Sequence, residues 1–72
     1  MPGDLQTSFG RHLRAERLRR GLSQEELGQQ IGYDRTYIGG VERGERNLTL
    51  QTVEAMAKRL GLDPRDMLAP AT

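Results

Sequence analysis

The sequence has no cysteine and no tryptophan, a single histidine, and only three aromatic residues, Phe9, Tyr33 and Tyr37. Without cysteine no disulfide can staple the chain, and His12 alone cannot assemble a metal site. No apolar run approaches the ~20 residues that a membrane-spanning helix needs. The opening residues, MPGDLQTS, offer neither the basic segment nor the apolar core of a secretion signal. These absences predict a cytoplasmic protein without cofactor. A catalytic constellation is also missing: no paired carboxylates in a plausible cleft and no phosphate-binding loop, so no enzyme is expected. An excess of one charge sign is lacking too, because the formal net charge is only +1.

What is present is arginine, which supplies ten of the eleven basic residues. Five of them, Arg11, Arg14, Arg17, Arg19 and Arg20, fall within ten positions. The guanidinium fork suits phosphate and guanine recognition, but a run of this kind on a helix is more commonly a solvated face. The chain is short enough to bury only about 60% of its unfolded surface. Stability must therefore come from helix packing, helped by self-association.

Along the chain, residues 1–7 read as a flexible terminus. Thr7 or Ser8 caps a first helix whose apolar positions are Phe9, Leu13 and Leu18. Ser23 and Glu26 form a capping box that opens a second helix, Gln24 to Ile31, with Leu27 and Ile31 on one stripe. Gly28 lies at the inner edge of that stripe and would let the third helix approach closely. Gly32 makes the turn and Asp34 caps a third helix from about Arg35 to Arg43, with Ile38 and Val41 inward and Tyr37 at the margin. Thr49 caps a fourth helix carrying Leu50, Val53, Met56, Ala57 and Leu60. Asp63-Pro64 opens a last short helix to about Leu68, and residues 70–72 form a tail. The fold class is all-α, with five helices.

The second and third helices, joined by a short glycine turn, have the form of a helix-turn-helix, whose second helix is offered to the DNA major groove by its N-terminal turn. Arg35 stands there and can donate two hydrogen bonds to guanine, a pairing that discriminates by ~1–3 kcal/mol. Thr36 adds a hydroxyl and a methyl for base readout. Gln24, in the first turn of the second helix, suits a phosphate. Tyr37 and the connector residues Arg43, Arg46 and Asn47 suit the sugar-phosphate backbone. Gly39-Gly40 in mid-helix costs ~1 kcal/mol per glycine against alanine. The pair either bares the helix to the groove, shifting readout towards DNA shape, or allows a tight helix–helix contact.

Gln24, Leu27, Gly28, Ile31, Gly32, Ile38, Val41 and Glu42-Arg43-Gly44 together resemble the helix-turn-helix of the lambda Cro/repressor-type (Xre-like) proteins. The resemblance covers about residues 8–69 and departs at Gly28, where the family more often has alanine. The string from Asp34 to Asn47 is similar to the controller proteins of restriction–modification systems. This implies a five-helix lambda-repressor-like domain that binds palindromic double-stranded operators upstream of its own gene as a homodimer, in the bacterial cytoplasm, with RNA polymerase as a further partner. It also implies base reading by Arg35 and Thr36, backbone contacts by Gln24, Tyr37, Arg43, Arg46 and Asn47, and a structural salt bridge between Arg17 and Glu42. Leu48, Leu50, Leu62, Met67 and Leu68 exceed the needs of one small core and are expected at the dimer interface. The rival readings are a general or phage-type Xre repressor or antitoxin, and a helical protein-interaction module that does not bind DNA.

Overall fold

The computed structural model describes residues 2–70, with side chains from Leu5 onward. Five helices follow one another: α1 (Pro2–Arg19), α2 (Gln24–Ile31), α3 (Arg35–Glu42), α4 (Leu50–Leu60) and α5 (Pro64–Leu68). There is no strand among the described residues, and no helix there is long and apolar enough to cross a membrane. Of the expected tail, residues 71 and 72 lie outside the described residues, as does Met1.

Local chemistry sets most of the boundaries. Ser23 Oγ accepts from the Glu26 N–H at 3.0 Å while Glu26 Oε1 accepts from the Ser23 N–H at 2.8 Å, completing the capping box of α2. Asp34 accepts from the Tyr37 N–H at 2.9 Å and Thr49 from the Thr52 N–H at 3.1 Å, so α3 and α4 begin on side-chain caps. Gly32 adopts φ 83°, the left-handed conformation in which its N–H and that of Tyr33 both return to the Gly28 carbonyl.

The start of α1 differs from the expected cap at Thr7 or Ser8, because the helix already runs from Pro2. Proline is tolerated in a first turn, where no helical hydrogen bond is lost. The last of the extra residues meet the connector after α3. Gln6 Nε2 donates to Asn47 Oδ1 at 3.4 Å, and a Cβ on Gly44 would meet Thr7 Oγ1 at 3.2 Å.

The core consists of Phe9, Leu13, Leu27, Ile31, Ile38, Val41, Val53, Met56, Ala57, Leu60 and Met67. Leu18 and Leu50 do not belong to it, at 54% and 73% exposed. α1 presents positions 9, 10 and 13 inward; four residues on, Arg17 takes the next inward place, and Leu18 falls on the outside. Gly10 is where α1 crosses α3: a Cβ there would lie 2.3 Å from the Val41 carbonyl oxygen. Gly28 serves a close approach as well, but of the turn rather than of α3, since its Cβ would lie 2.1 Å from the Tyr33 carbonyl oxygen. The departure from alanine at this position thus accompanies a turn drawn in against α2.

Candidate nucleic-acid interface

The N-terminal turns of α2 and α3 open onto one shallow depression lined by Gln24, Arg35, Thr36, Gly39 and Arg43. Arg35 and Thr36 are exposed at its edge. Neither makes a side-chain hydrogen bond or ion pair among the described residues, so their donors remain available to a ligand. Gly39 forms the floor, where a Cβ would sit 3.1 Å from Arg43 Nη1 and 3.3 Å from Gln24 Oε1. The floor is therefore narrow and polar rather than bare.

Beneath this depression lies a buried acid. The Glu42 side chain is 3% exposed and accepts from Arg17 Nε at 2.6 Å and from Arg17 Nη2 at 3.0 Å. Arg17 Nη1 also donates to the Leu22 carbonyl at 3.0 Å, tying the α1–α2 connection to the end of α3. Gln24 Nε2 donates to the same carboxylate at 3.2 Å. The charge pair thus fixes Gln24, whose other amide N–H is left for a ligand. A fork of two parallel bonds is the strongest form of such a pair.

The connector after α3 supplies the second cluster. Arg43 pairs with Glu45 at 3.0 Å, both largely exposed, and such a pair is worth little. Arg46 lies with its guanidinium carbon 5.2 Å from the centroid of the Tyr37 ring. Its chain covers Gly40, where a Cβ would meet Arg46 Cγ and Nε at 3.0 Å. The two mid-helix glycines therefore make room for side chains of this protein, Gly39 for Gln24 and Arg43, Gly40 for Arg46. The helix–helix contact holds in part, at Gly39 against Gln24 of α2, whereas the bare face does not describe either glycine. Burial and the neighbouring Tyr33 hold the Tyr37 phenol above its ordinary range.

The basic run on α1 is largely spent on the protein itself. Arg17 is used as above, Arg19 and Arg20 pair with Glu16, and Arg20 Nη2 also donates to the Leu60 carbonyl at 2.6 Å. Glu16 is held down from 4.5 to about 2, chiefly by the hydrogen bond from Arg19. Arg11 and Arg14 are exposed.

The apolar set expected at a dimer interface is only partly brought together. Leu48, Leu50 and Leu68 line one groove between the start of α1 and the start of α4, with Leu5, Gln6, Thr49 and Val53. Leu5, 52% exposed, has no signal in a terminus read as loose. Met67 is a correction: at 3% exposed it is a core residue, because α5 folds it under α1. Leu62 also departs, lining a separate depression with His12, Glu16 and Asp66. Sequence reasoning also passed over Arg59, whose Nη1 donates to the Ile31 carbonyl at 2.6 Å and whose guanidinium lies 5.8 Å from the Tyr33 ring. Nothing in its local sequence points twenty-eight residues back to that carbonyl.

Comparison with known proteins agrees with this geometry. A model of the helix-turn-helix domain matches residues 8–71. A hypothetical transcription factor of Neisseria meningitidis serogroup B is 42% identical over 67 residues; the match takes in 93% of this chain but only 63% of the relative's length. The crystal structure of the Neisseria hypothetical transcription factor NHTF superposes with a TM-score of 0.84 at 40% identity, covering 97% of this chain and 80% of that one. Control protein C.BamHI of Bacillus amyloliquefaciens is 39% identical over 69 residues, 94% of this chain and 85% of its own. The restriction–modification controller protein C.Esp1396I, solved as a tetramer in complex with its natural 35 base-pair operator, matches with a TM-score of 0.74 at 35% identity, covering 88% of this chain and 83% of that one.

Proposed function

This chain belongs to the helix-turn-helix family of DNA-binding transcription regulators, which are not enzymes, and from that premise we propose that it is the controller protein of a restriction–modification system. It binds a palindromic operator upstream of its own gene as a homodimer, in the bacterial cytoplasm, and acts there on RNA polymerase. The observation that carries this reading is the open depression at the start of α3, where unpaired Arg35 and Thr36 converge with Gln24 and Arg43.

Each side chain then has a role set by its chemistry. Arg35 reads guanine through O6 and N7, and Thr36 contacts a neighbouring base edge or thymine methyl. Gln24, fixed by Glu42, donates to a phosphate at the head of α2. Tyr37, Arg43, Arg46 and Asn47 grip the backbone on the far side, setting register without reading sequence. Arg17 and Glu42 are structural. Two-fold symmetry asks for half-sites about 10 bp apart centre to centre, or a multiple of that spacing. The groove of Leu5, Leu48, Leu50 and Leu68 supplies the self-complementary patch that a two-fold dimer needs. The operator-bound tetramer of C.Esp1396I favours two such dimers side by side.

Footprinting on the DNA upstream of the gene tests the proposal. Protection of a palindrome there is expected; uniform or absent protection along that DNA would overturn it.

A further inference from the structure

Four side chains from four different parts of the chain form a continuous stack on one side of the α3 start. Arg46, from the connector, lies over the Tyr37 ring at 5.2 Å. Tyr37, in α3, stacks on Tyr33 with ring centroids 5.2 Å apart and planes at 18°. Tyr33, in the turn, carries the Arg59 guanidinium of α4 at 5.8 Å. Cations at both ends of two stacked rings meet the electron-rich faces that attract them.

The stack is built in from both ends. At one end Gly40 leaves the space in which the Arg46 chain lies. At the other, Arg59 is fixed by its 2.6 Å hydrogen bond to the Ile31 carbonyl, so it cannot swing away without freeing an acceptor at the C-terminus of α2. Tyr33 and Tyr37 also pack against the core. Arg46, by contrast, makes no ion pair among the described residues. It is the free end, held by the ring face and by its packing over Gly40, with no acidic partner on its N–H groups among the described residues. Arg43, its neighbour in the connector, differs in having a weak, exposed ion pair with Glu45.

We propose that Tyr33 and Arg59 are positioning residues of the DNA face: through the stack they hold Tyr37 and Arg46 ready for the backbone before DNA arrives. This rests on the assignment of Tyr37 and Arg46 as backbone contacts. An arginine already ordered on a ring loses less freedom on binding than one waving in solvent. The stack also links the turn, the recognition helix and α4, so a change at Arg59 reaches a phosphate contact that it does not touch.

The test uses Tyr33→Leu, which keeps apolar volume against the core but removes the ring, and Tyr33→Phe, which keeps the ring and removes the hydroxyl. Binding to a duplex carrying the upstream palindrome is titrated over a range of salt. Tyr33→Leu is expected to weaken binding about fivefold and to flatten the logarithmic salt slope by about one, the mark of one lost phosphate contact. Tyr33→Phe is expected to bind as the parent does. In a Tyr37→Leu background, Tyr33→Leu should add nothing. Equal losses for Tyr33→Phe and Tyr33→Leu would mean that the hydroxyl itself touches DNA, and full additivity with Tyr37→Leu would mean an independent role; either overturns the proposal. The Arg46 side-chain protons of the free protein decide it without DNA. Ring-current displacement that diminishes in Tyr33→Leu supports the stack, and displacement unchanged in that variant sinks it. Failure of the parent protein to bind any duplex would count against the DNA reading alone.

Discussion

At the scale of single residues, most of the basic run on α1 is consumed by the fold itself. Arg17 bridges Glu42 and the Leu22 carbonyl, and removing it leaves a carboxylate that is 3% exposed without its partner. Arg17→Ala should lower stability by about 3 kcal/mol, whereas Arg14→Ala, on an exposed face, should change the melting temperature little; thermal melts of the two variants check this. Glu16 gives a second prediction. Its carboxyl titrates at about 2 in the fold against an ordinary 4.5, first because of the Arg19 hydrogen bond and then that of Arg20. A depressed carboxylate stabilises the fold fully above its unfolded value and loses that contribution as pH falls through the folded one. Glu16→Gln should therefore flatten the fall in stability between about pH 4.5 and 2, as read by chemical denaturation at stepped pH. Arg35 and Thr36 stand apart from these, exposed and, among the described residues, unpaired at the start of α3, where the proposed base reading would place them.

At the scale of elements, short-range chemistry decides where helices begin, and Asp34 governs the one that matters for DNA. Asp34→Ala removes the acceptor of the Tyr37 N–H and should cost about 1 kcal/mol. Its cost in operator affinity should exceed that of Asp63→Ala, because α5 lies outside the depression; parallel melts and titrations compare the two. Caps of this kind act over two or three residues, which is why Ser23, Asp34, Thr49 and Asp63 are legible in the sequence together with the helices they open. The start of α1 is not legible: no cap or periodicity marks it, and the neighbours of Gln6 and Thr7, Asn47 and Gly44, lie some forty residues away. The role of Gly40 is hidden for another reason: Arg46 is only six residues on, but the connector has to fold back for its side chain to lie across the glycine. Leu18 is expected inward for its apolar side chain, but it stands five residues after Leu13, off the face of Phe9 and Leu13, and is exposed. The candidate site was legible where helix-terminal position alone fixed it, at Gln24, Arg35 and Thr36, and illegible where tertiary stacking built it, at Tyr33 and Arg59.

At the scale of the whole molecule, the proposal assigns DNA to the depression at α3 and self-association to the apolar groove between α1 and α4. Leu50, 73% exposed in the monomer, should be central to the second of them. Leu50→Glu is expected to shift sedimentation towards monomer and to lower operator affinity together, without loss of helix content. The account as a whole turns on whether Arg35 reads a base. Binding isotherms of the parent protein and of Arg35→Ala, each on the upstream palindrome and on a scrambled duplex of equal length and salt, measure that directly. The parent should prefer the palindrome, and Arg35→Ala should lose about 10- to 100-fold of that preference while its affinity for the scrambled duplex changes little. An undiminished preference in Arg35→Ala would contradict the account.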